Sequence, residues 1–332
     1  MVVILGRGRF ARTMLSHLLE MLEDRVQIVQ CYRENNVPAP PESPLPSHRI
    51  HLAPVRTLIG DEGMENLIAL FRFWMPDIVV VAVSSYSPYR SRAETGTPFG
   101  ATLPLQLPIA LNASKAAHAS GISALLLNAC YPELVNPIAR LLGTPFDVGL
   151  GNAQTLNWEQ NFGEADGLHA LAHHSHLGTE FVNEPLMYDA TNVRVHEAEN
   201  LHIEALKRRR GLSRAERNDL GATAAAALVA RLTTLPRVTA CVPGFGAETG
   251  AVPVTLGLSR KSKPRIELSD TDLNRVRARH RQECLSEGWI IRDDAVELTP
   301  EARNAMANLA PPSLRLSIND LNSWVNFIGR SL

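Results

Sequence analysis

Cysteine is scarce in this 332-residue chain. The four residues Cys31, Cys130, Cys241 and Cys284 lie far apart and form no CxxC pair, which argues against a disulfide framework and a cysteine zinc site. Charge of one sign is lacking too. Lys and Arg number 33 against 34 for Asp and Glu, so the formal charge of −1 gives no bulk attraction to nucleic acid. No apolar run approaches the roughly 18 to 20 residues of a membrane span. Met1 leads straight into Val2-Val3-Ile4-Leu5-Gly6 without a signal-peptide pattern, so a cytoplasmic location is the expectation.

Apolar residues make up 45% and charged residues 20%, enough to build real cores, and the length suits about two domains. Val2 to Leu5 reads as a strand, Met14, Leu15, Leu18, Leu19 and Leu22 recur at helical spacing, and Val26 to Val29 reads as a second strand. That βαβ unit predicts a parallel sheet. Five prolines between 35 and 48 predict an exposed loop, and Met64 to Phe71 a helix. Ile78 to Val83, apolar throughout, predicts a central strand covered on both faces. The aperiodic stretch from Ser84 to Thr102 leaves its carboxyl end, where ligand crevices of open α/β sheets lie. A helix from about 104 to 119, a strand at 124–127, a helix at 132–142 and a strand at 146–150 complete a doubly wound parallel sheet. Beyond Gly151 the alternation breaks, predicting a mixed second domain with a charged helix near 197–210, an Ala-rich helix at 222–232 and strands at 252–256 and 265–268. Ser269 to Asp272 offers caps for a helix from Leu273 to Leu285.

Gly6-Arg7-Gly8-Arg9-Phe10-Ala11 fits G-x-G-x-x-G/A between a strand and a helix. In that context the first glycine makes the turn, the second lets backbone approach a pyrophosphate, and the small third residue allows close helix packing. The acid that binds ribose hydroxyls about 20 residues on is missing: Gln30, Cys31 and Tyr32 stand there, followed by Arg33. An arginine there can pair with a 2′-phosphate, so the cofactor reading is NAD or NADP, tilted towards NADP.

Six stretches in chain order together resemble the lactate/malate dehydrogenase superfamily over about residues 1–283. They are the glycine turn, Ile78 to Val83 with its Arg-containing loop, Leu126-Leu127-Asn128, Val148 to Asn152, Leu168-His169-Ala170 through His176-Leu177-Gly178, and Ala251 to Gly257. The resemblance implies a Rossmann domain at 1–151 and a mixed α+β substrate domain at 152–285. Residues 286–332 remain as a C-terminal extension packing on the body or on a partner subunit. It further implies that Asn128 contacts nicotinamide and substrate, and that His176 is the catalytic acid/base. Gly221 and Thr223 would edge the substrate pocket, and Arg90 or Arg92 would be the loop arginine that polarises a carbonyl. A homodimer or homotetramer and a small-molecule substrate are expected on the same ground.

Two positions depart from the family pattern. The aspartate that orients the histidine falls on Asn157, and the arginine that clamps a substrate carboxylate falls on Gln160. Asp to Asn in the analogous serine-protease triad costs about 10⁴-fold, and a lost bidentate ion pair about 1.5 to 3 kcal/mol. The substrate expected is therefore a hydroxy or keto compound other than a simple 2-hydroxy acid, with Glu159, Glu164 or Asp166 as candidate replacement carboxylates. Two other readings stay open: a non-catalytic relative that binds or assembles, and metal-assisted chemistry at His169, His173, His174 and His176. The basic runs 207–210 with Arg214 and Arg217, and 260–265, read as solvated faces. The tail from Gly288 reads as strand, turn and helices.

Overall fold

The structure is a computed structural model that describes residues 1–33, 49–84, 103–156, 167–177, 183–258, 264–292, 295–305 and 315–317. Its centre is a six-stranded, all-parallel sheet in the order β3-β2-β1-β4-β5-β6. The strands are β1 (Val2–Leu5), β2 (Ile28–Arg33), β3 (Ile50–Val55), β4 (Ile78–Val81), β5 (Leu125–Asn128) and β6 (Val148–Gly149). β1 pairs with β2 through Val2 opposite Ile28 and with β4 through Val2 opposite Ile78. The direction of winding therefore reverses at β1, between β2 and β4, which is where doubly wound sheets open a crevice.

Period-two alternation sends the strand side chains to two cores. Val3, Leu5, Val29, Val79 and Val81 pack with Leu67 and Phe71 of α2 (Gly60–Trp74), Leu107 and Leu111 of α3 (Leu103–Ser120), and Leu134 and Ile138 of α4 (Pro132–Leu141). Val2, Ile4, Ile28, Ile78 and Val80 pack on the other face with Met14, Leu15 and Leu18 of α1 (Arg9–Met21). α6 (Arg214–Thr234) closes that face with Ala222, Ala225, Ala226 and Val229. The small residues of α6 let it lie close to α1, and a capping box of Ser213 and Glu216 starts it. α6 thus begins eight residues before the predicted Ala-rich helix.

The second half carries a meander of β7 (Leu168–Leu171), β8 (Leu186–Asp189) and β9 (Arg194–Glu197), then α5 (Asn200–Arg210) before α6. After α6 come β10 (Val238–Pro243), β11 (Ala251–Leu256) and β12 (Arg265–Ile266), a second antiparallel sheet. α7 (Asp270–Ser286) follows, capped by Ser269 as expected. The tail differs from the strand-turn-helix expectation. β13 (Trp289–Ile291) and β14 (Ala295–Leu298) form a hairpin that α8 (Pro300–Ala305) follows, and β15 (Arg315–Ser317) adds to β14. Trp289, Val296, Leu298 and Ala302 are buried in the same core as α2, α3 and α4, so this segment is part of the body.

Candidate active site

The glycine turn lies at the reversal point. Gly6 has φ +126°, and a β-carbon there would stand 2.6 Å from the Ala82 carbonyl oxygen, so glycine is required by both conformation and space. Gly8 is the N-cap of α1, extended, without a side-chain cap, and among the described residues a β-carbon on it would meet nothing within 4 Å. The first-turn amides of α1 follow a turn that no described residue fills, the arrangement that receives an anion. Ala11 is fully buried, and Phe10 packs against the α1 side of the core.

Arg9 turns away from this opening. Its guanidinium donates to Asp219 of α6 at 2.9 Å from Nε, and Thr13 donates to the same carboxylate at 3.1 Å. The hydrogen bond from Arg9 holds the Asp219 carboxyl below its usual range. At the end of β2, Gln30 donates to the Gly6 carbonyl at 3.2 Å, and the Arg7 guanidinium lies over the Tyr32 ring at 5.2 Å. Arg33 is the last residue of β2.

At the carboxyl end of β5, Asn128 is fully buried and its amide is engaged within the protein. Oδ1 accepts from the Cys130 amide at 2.9 Å, and Nδ2 donates to Asn136 Oδ1 at 2.8 Å and to the Cys130 carbonyl at 3.1 Å. Tyr131 then takes a left-handed conformation (φ 48°) before Pro132 opens α4. A bulky residue there is strained, as at many functional sites. Its hydroxyl donates to one oxygen of Glu287 at 2.5 Å, and the other oxygen lies 2.9 Å from His174 Nδ1. Glu133, in the first turn of α4, is buried with no hydrogen-bond partner for either carboxylate oxygen among the described residues. Burial pushes its pKa up to about 7, against the attraction of His174.

The histidine-bearing turn, a short 3₁₀ segment at His174–Leu177, is braced from two sides. Arg210 donates to the His176 carbonyl and Arg217 to the Leu177 carbonyl, each at 2.8 Å. These members of the basic run are thus structural braces, where a solvated face was expected. His176 itself is fully buried. Its Nδ1 accepts from the His173 amide at 2.8 Å, which puts the neutral ring's proton on Nε2, 3.6 Å from Glu283 Oε1. That separation exceeds a hydrogen bond. Burial, then the neighbouring His173 and His280, hold His176 well below the usual histidine range. Glu283 instead accepts from the Ser175 hydroxyl at 2.7 Å and from the Asn183 amide at 3.2 Å.

His174 behaves in the opposite way. Burial acts to lower its pKa, but the hydrogen bond and charge of Glu287, with the charge of Glu133, outweigh it and leave the ring raised. The carboxylate partner sought for His176 is therefore found on His174, and it is Glu287 at the C-cap of α7, where no site residue was expected. The signal was there in Glu283 and Glu287, four residues apart and just after the Arg-rich stretch 275–281. Of the other expected site residues, Gly221 is buried in α6 and the Thr223 hydroxyl donates to the Asp219 carbonyl of its own helix at 2.8 Å. Arg90, Arg92, Asn157 and Gln160 lie outside the described residues, as do Glu159, Glu164 and Asp166. Among the described residues no three His, Cys, Asp or Glu side chains converge to hold a metal ion.

No protein-family model matches the chain, and no curated protein matches it in sequence. Solved structures do match in three dimensions. A lactate dehydrogenase from a Medee basin deep-sea metagenome library superposes at TM-score 0.51 with 13% identity, covering 86% of this chain and 98% of that one. The malate dehydrogenase of Aeropyrum pernix gives TM-score 0.50 at 12% identity over 86% and 97%. This chain has the lactate/malate dehydrogenase fold. The 6-phospho-β-glucosidase of Thermotoga maritima, solved with manganese, NAD⁺ and glucose 6-phosphate, shares the fold at TM-score 0.51 and 11% identity over 99% and 98%. One lactate/malate dehydrogenase-like fold thus hosts both dehydrogenases and a glycosidase, so chemistry has to be argued from the site.

Proposed function

We propose that the chain is an NAD(P)-dependent oxidoreductase acting on a hydroxy or keto group of a small molecule other than a simple 2-hydroxy acid. The observation that carries the reading is the Gly6-x-Gly8-x-x-Ala11 turn at the reversal point of the sheet, left open at Gly8 by every described residue. Gly6, Gly8 and Ala11 with the α1 amides hold the pyrophosphate. Arg33 at the end of β2 and the Tyr32-stacked Arg7 favour a 2′-phosphate, hence NADP, with Gln30, Cys31 and Tyr32 standing where a ribose-binding acid is sought. A nicotinamide, when bound, would supply the hydride acceptor or donor.

The acid/base in this reading is His174, in place of the His176 expected from sequence. Its Nδ1–H is held by Glu287, and Tyr131 fixes that carboxylate from the other side, so the ring is oriented and its charged form favoured for proton exchange with a substrate hydroxyl or carbonyl. Titration with NADH and NADPH, followed by tryptophan quenching and calorimetry, tests the cofactor. Micromolar affinity for either supports the reading, with NADPH tighter; no binding at millimolar concentration overturns it. His174→Asn is expected to abolish turnover while leaving cofactor affinity within a few fold. Turnover that survives in His174→Asn but not in His176→Asn returns the role to His176.

A second reading, a dinucleotide-binding protein without turnover, draws support from the fully engaged Asn128 amide and the sealed His176 ring. Cofactor binding without hydride transfer to any of a panel of hydroxy and keto compounds favours it.

A further inference from the structure

A second cleft, of about 790 Å³, lies between α4, the β10–β11 loop, α7 and the β13–β14 hairpin. That volume suits a small molecule. Its wall carries four guanidinium groups, Arg140, Arg277, Arg281 and Arg292, and one carboxylate, Glu248. Two of the four are neutralised. Arg277 grips the buried Glu248 through Nε at 3.1 Å and Nη2 at 2.6 Å, and Arg292 pairs with Glu297 at 3.3 Å. Among the described residues the guanidinium groups of Arg140 and Arg281 have no ion pair or hydrogen bond.

The local structure aims these groups into one space. On α7, Asn274, Arg277 and Arg281 fall at i, i+3 and i+7, a single face of the helix. Arg140 comes from the last turn of α4 opposite. Gly246, left-handed at φ 63°, brings the loop backbone beneath it, so that a β-carbon there would lie 4.0 Å from Arg140 Nη1. Between the cations, Leu141, Ile291 and Val296 supply an apolar floor. The Arg277–Glu248 pair acts as a rigid strut that keeps the α7 face at a fixed distance from the loop.

We propose that this cleft is a binding site for a small phosphorylated molecule carrying two or more negative charges, with Arg140 and Arg281 as the principal ligands, Arg292 at the rim and the organic part on the apolar floor. Guanidinium forks match phosphate oxygens bidentately, and two unneutralised forks facing one cleft leave a net positive site that such an anion completes. The site is separate from the glycine turn. It borders α7, whose buried Glu283, with Glu287 at its C-cap, holds the histidine turn.

Calorimetry of the full chain with inorganic pyrophosphate tests the proposal. Because the glycine turn also attracts that anion, two variants are compared: Arg140→Ala with Arg281→Ala in the cleft, and Gly8→Asp at the turn. Both arginines are exposed, and unchanged thermal melting verifies that the double variant is folded. Saturable binding that persists in Gly8→Asp and weakens at least tenfold in the double variant is the expected result, with Arg140→Lys plus Arg281→Lys intermediate because charge remains while the fork is lost. Absence of saturable binding at millimolar pyrophosphate, or binding lost in Gly8→Asp and kept in the double variant, overturns it.

Discussion

Glu133, His173, His174, His176, His280 and Glu287 pull stability in different directions with pH. Glu133 ionises in the unfolded chain near the ordinary carboxylate value but only at about 7 in the fold, because burial opposes its charge. Stability is lost as pH rises between those two values. Glu133→Gln is therefore expected to stabilise the protein by about 1 to 3 kcal/mol at pH 8 and to change little at pH 4.5, as read by urea unfolding at both.

The buried histidines act in the other sense. Burial holds His173 at about 4 and His280 at about 3, so both stay neutral while their unfolded counterparts take up protons below about pH 6.5. Stability then falls as pH drops from 6.5 towards 4. His174 is raised, and its contribution is complete below the unfolded value and lost as pH rises through the folded one. Its partner Glu287 is lowered despite burial, chiefly by its electrostatic coupling to His173 and the hydrogen bond from His174; its contribution is present above the unfolded carboxylate value and lost on acidification through the folded one. A lower urea midpoint at pH 5 than at pH 7 is expected, with a steeper drop in His174→Asn, which loses a histidine whose raised pKa favours the acid side. A midpoint independent of pH over that range contradicts the sealed histidine cluster.

At the scale of elements, the β1–α1 turn separates folding from binding by two residues. Gly6→Ala forces a side chain into a positive φ and against the Ala82 carbonyl, and a loss of about 2 to 4 kcal/mol in denaturant unfolding is expected. Gly8→Asp meets open space and adds an N-cap that α1 lacks, so stability rises by about 0.5 to 1 kcal/mol, while the carboxylate repels a pyrophosphate and cofactor affinity falls more than tenfold. Loss of stability in Gly8→Asp contradicts the open geometry.

The elements read correctly from sequence were the ones with unbroken patterns. Val2–Leu5 and Ile78–Val81 are apolar throughout because both faces of the sheet are covered. β3 was missed because Ile50–Val55 includes His51 and Pro54, follows a proline-rich segment and is the edge strand, with one neighbour only. The β7–β9 meander was missed for a related reason. Its strands are four residues long, and half of β9 is exposed, so periodicity has too few repeats to register.

For the whole molecule, the C-terminal hairpin closes the core. Trp289 is fully buried against the α2–α3–α4 side of the sheet, and two residues before it Glu287 meets His174 and Tyr131. Trp289→Ala should cost about 3 to 5 kcal/mol and, by loosening the segment that carries Glu287, bring the His174 pKa down towards its ordinary value, a shift that NMR titration of the ring reads directly. An unchanged His174 titration in a folded Trp289→Ala protein separates the two roles.

The sequence by itself determined the parallel sheet, the glycine turn and its place at the sheet's crevice, because those depend on short-range periodicity and on backbone freedom that only glycine supplies. Which histidine meets a carboxylate was decided only by the tertiary structure. Glu287 lies 113 residues from His174, and Arg210 and Arg217 reach the same turn from 34 and 40 residues away. The packing of α7 and the hairpin onto the end of β5 sets those distances, and with them the burial that lowers one imidazole and the charge that raises its neighbour two residues away.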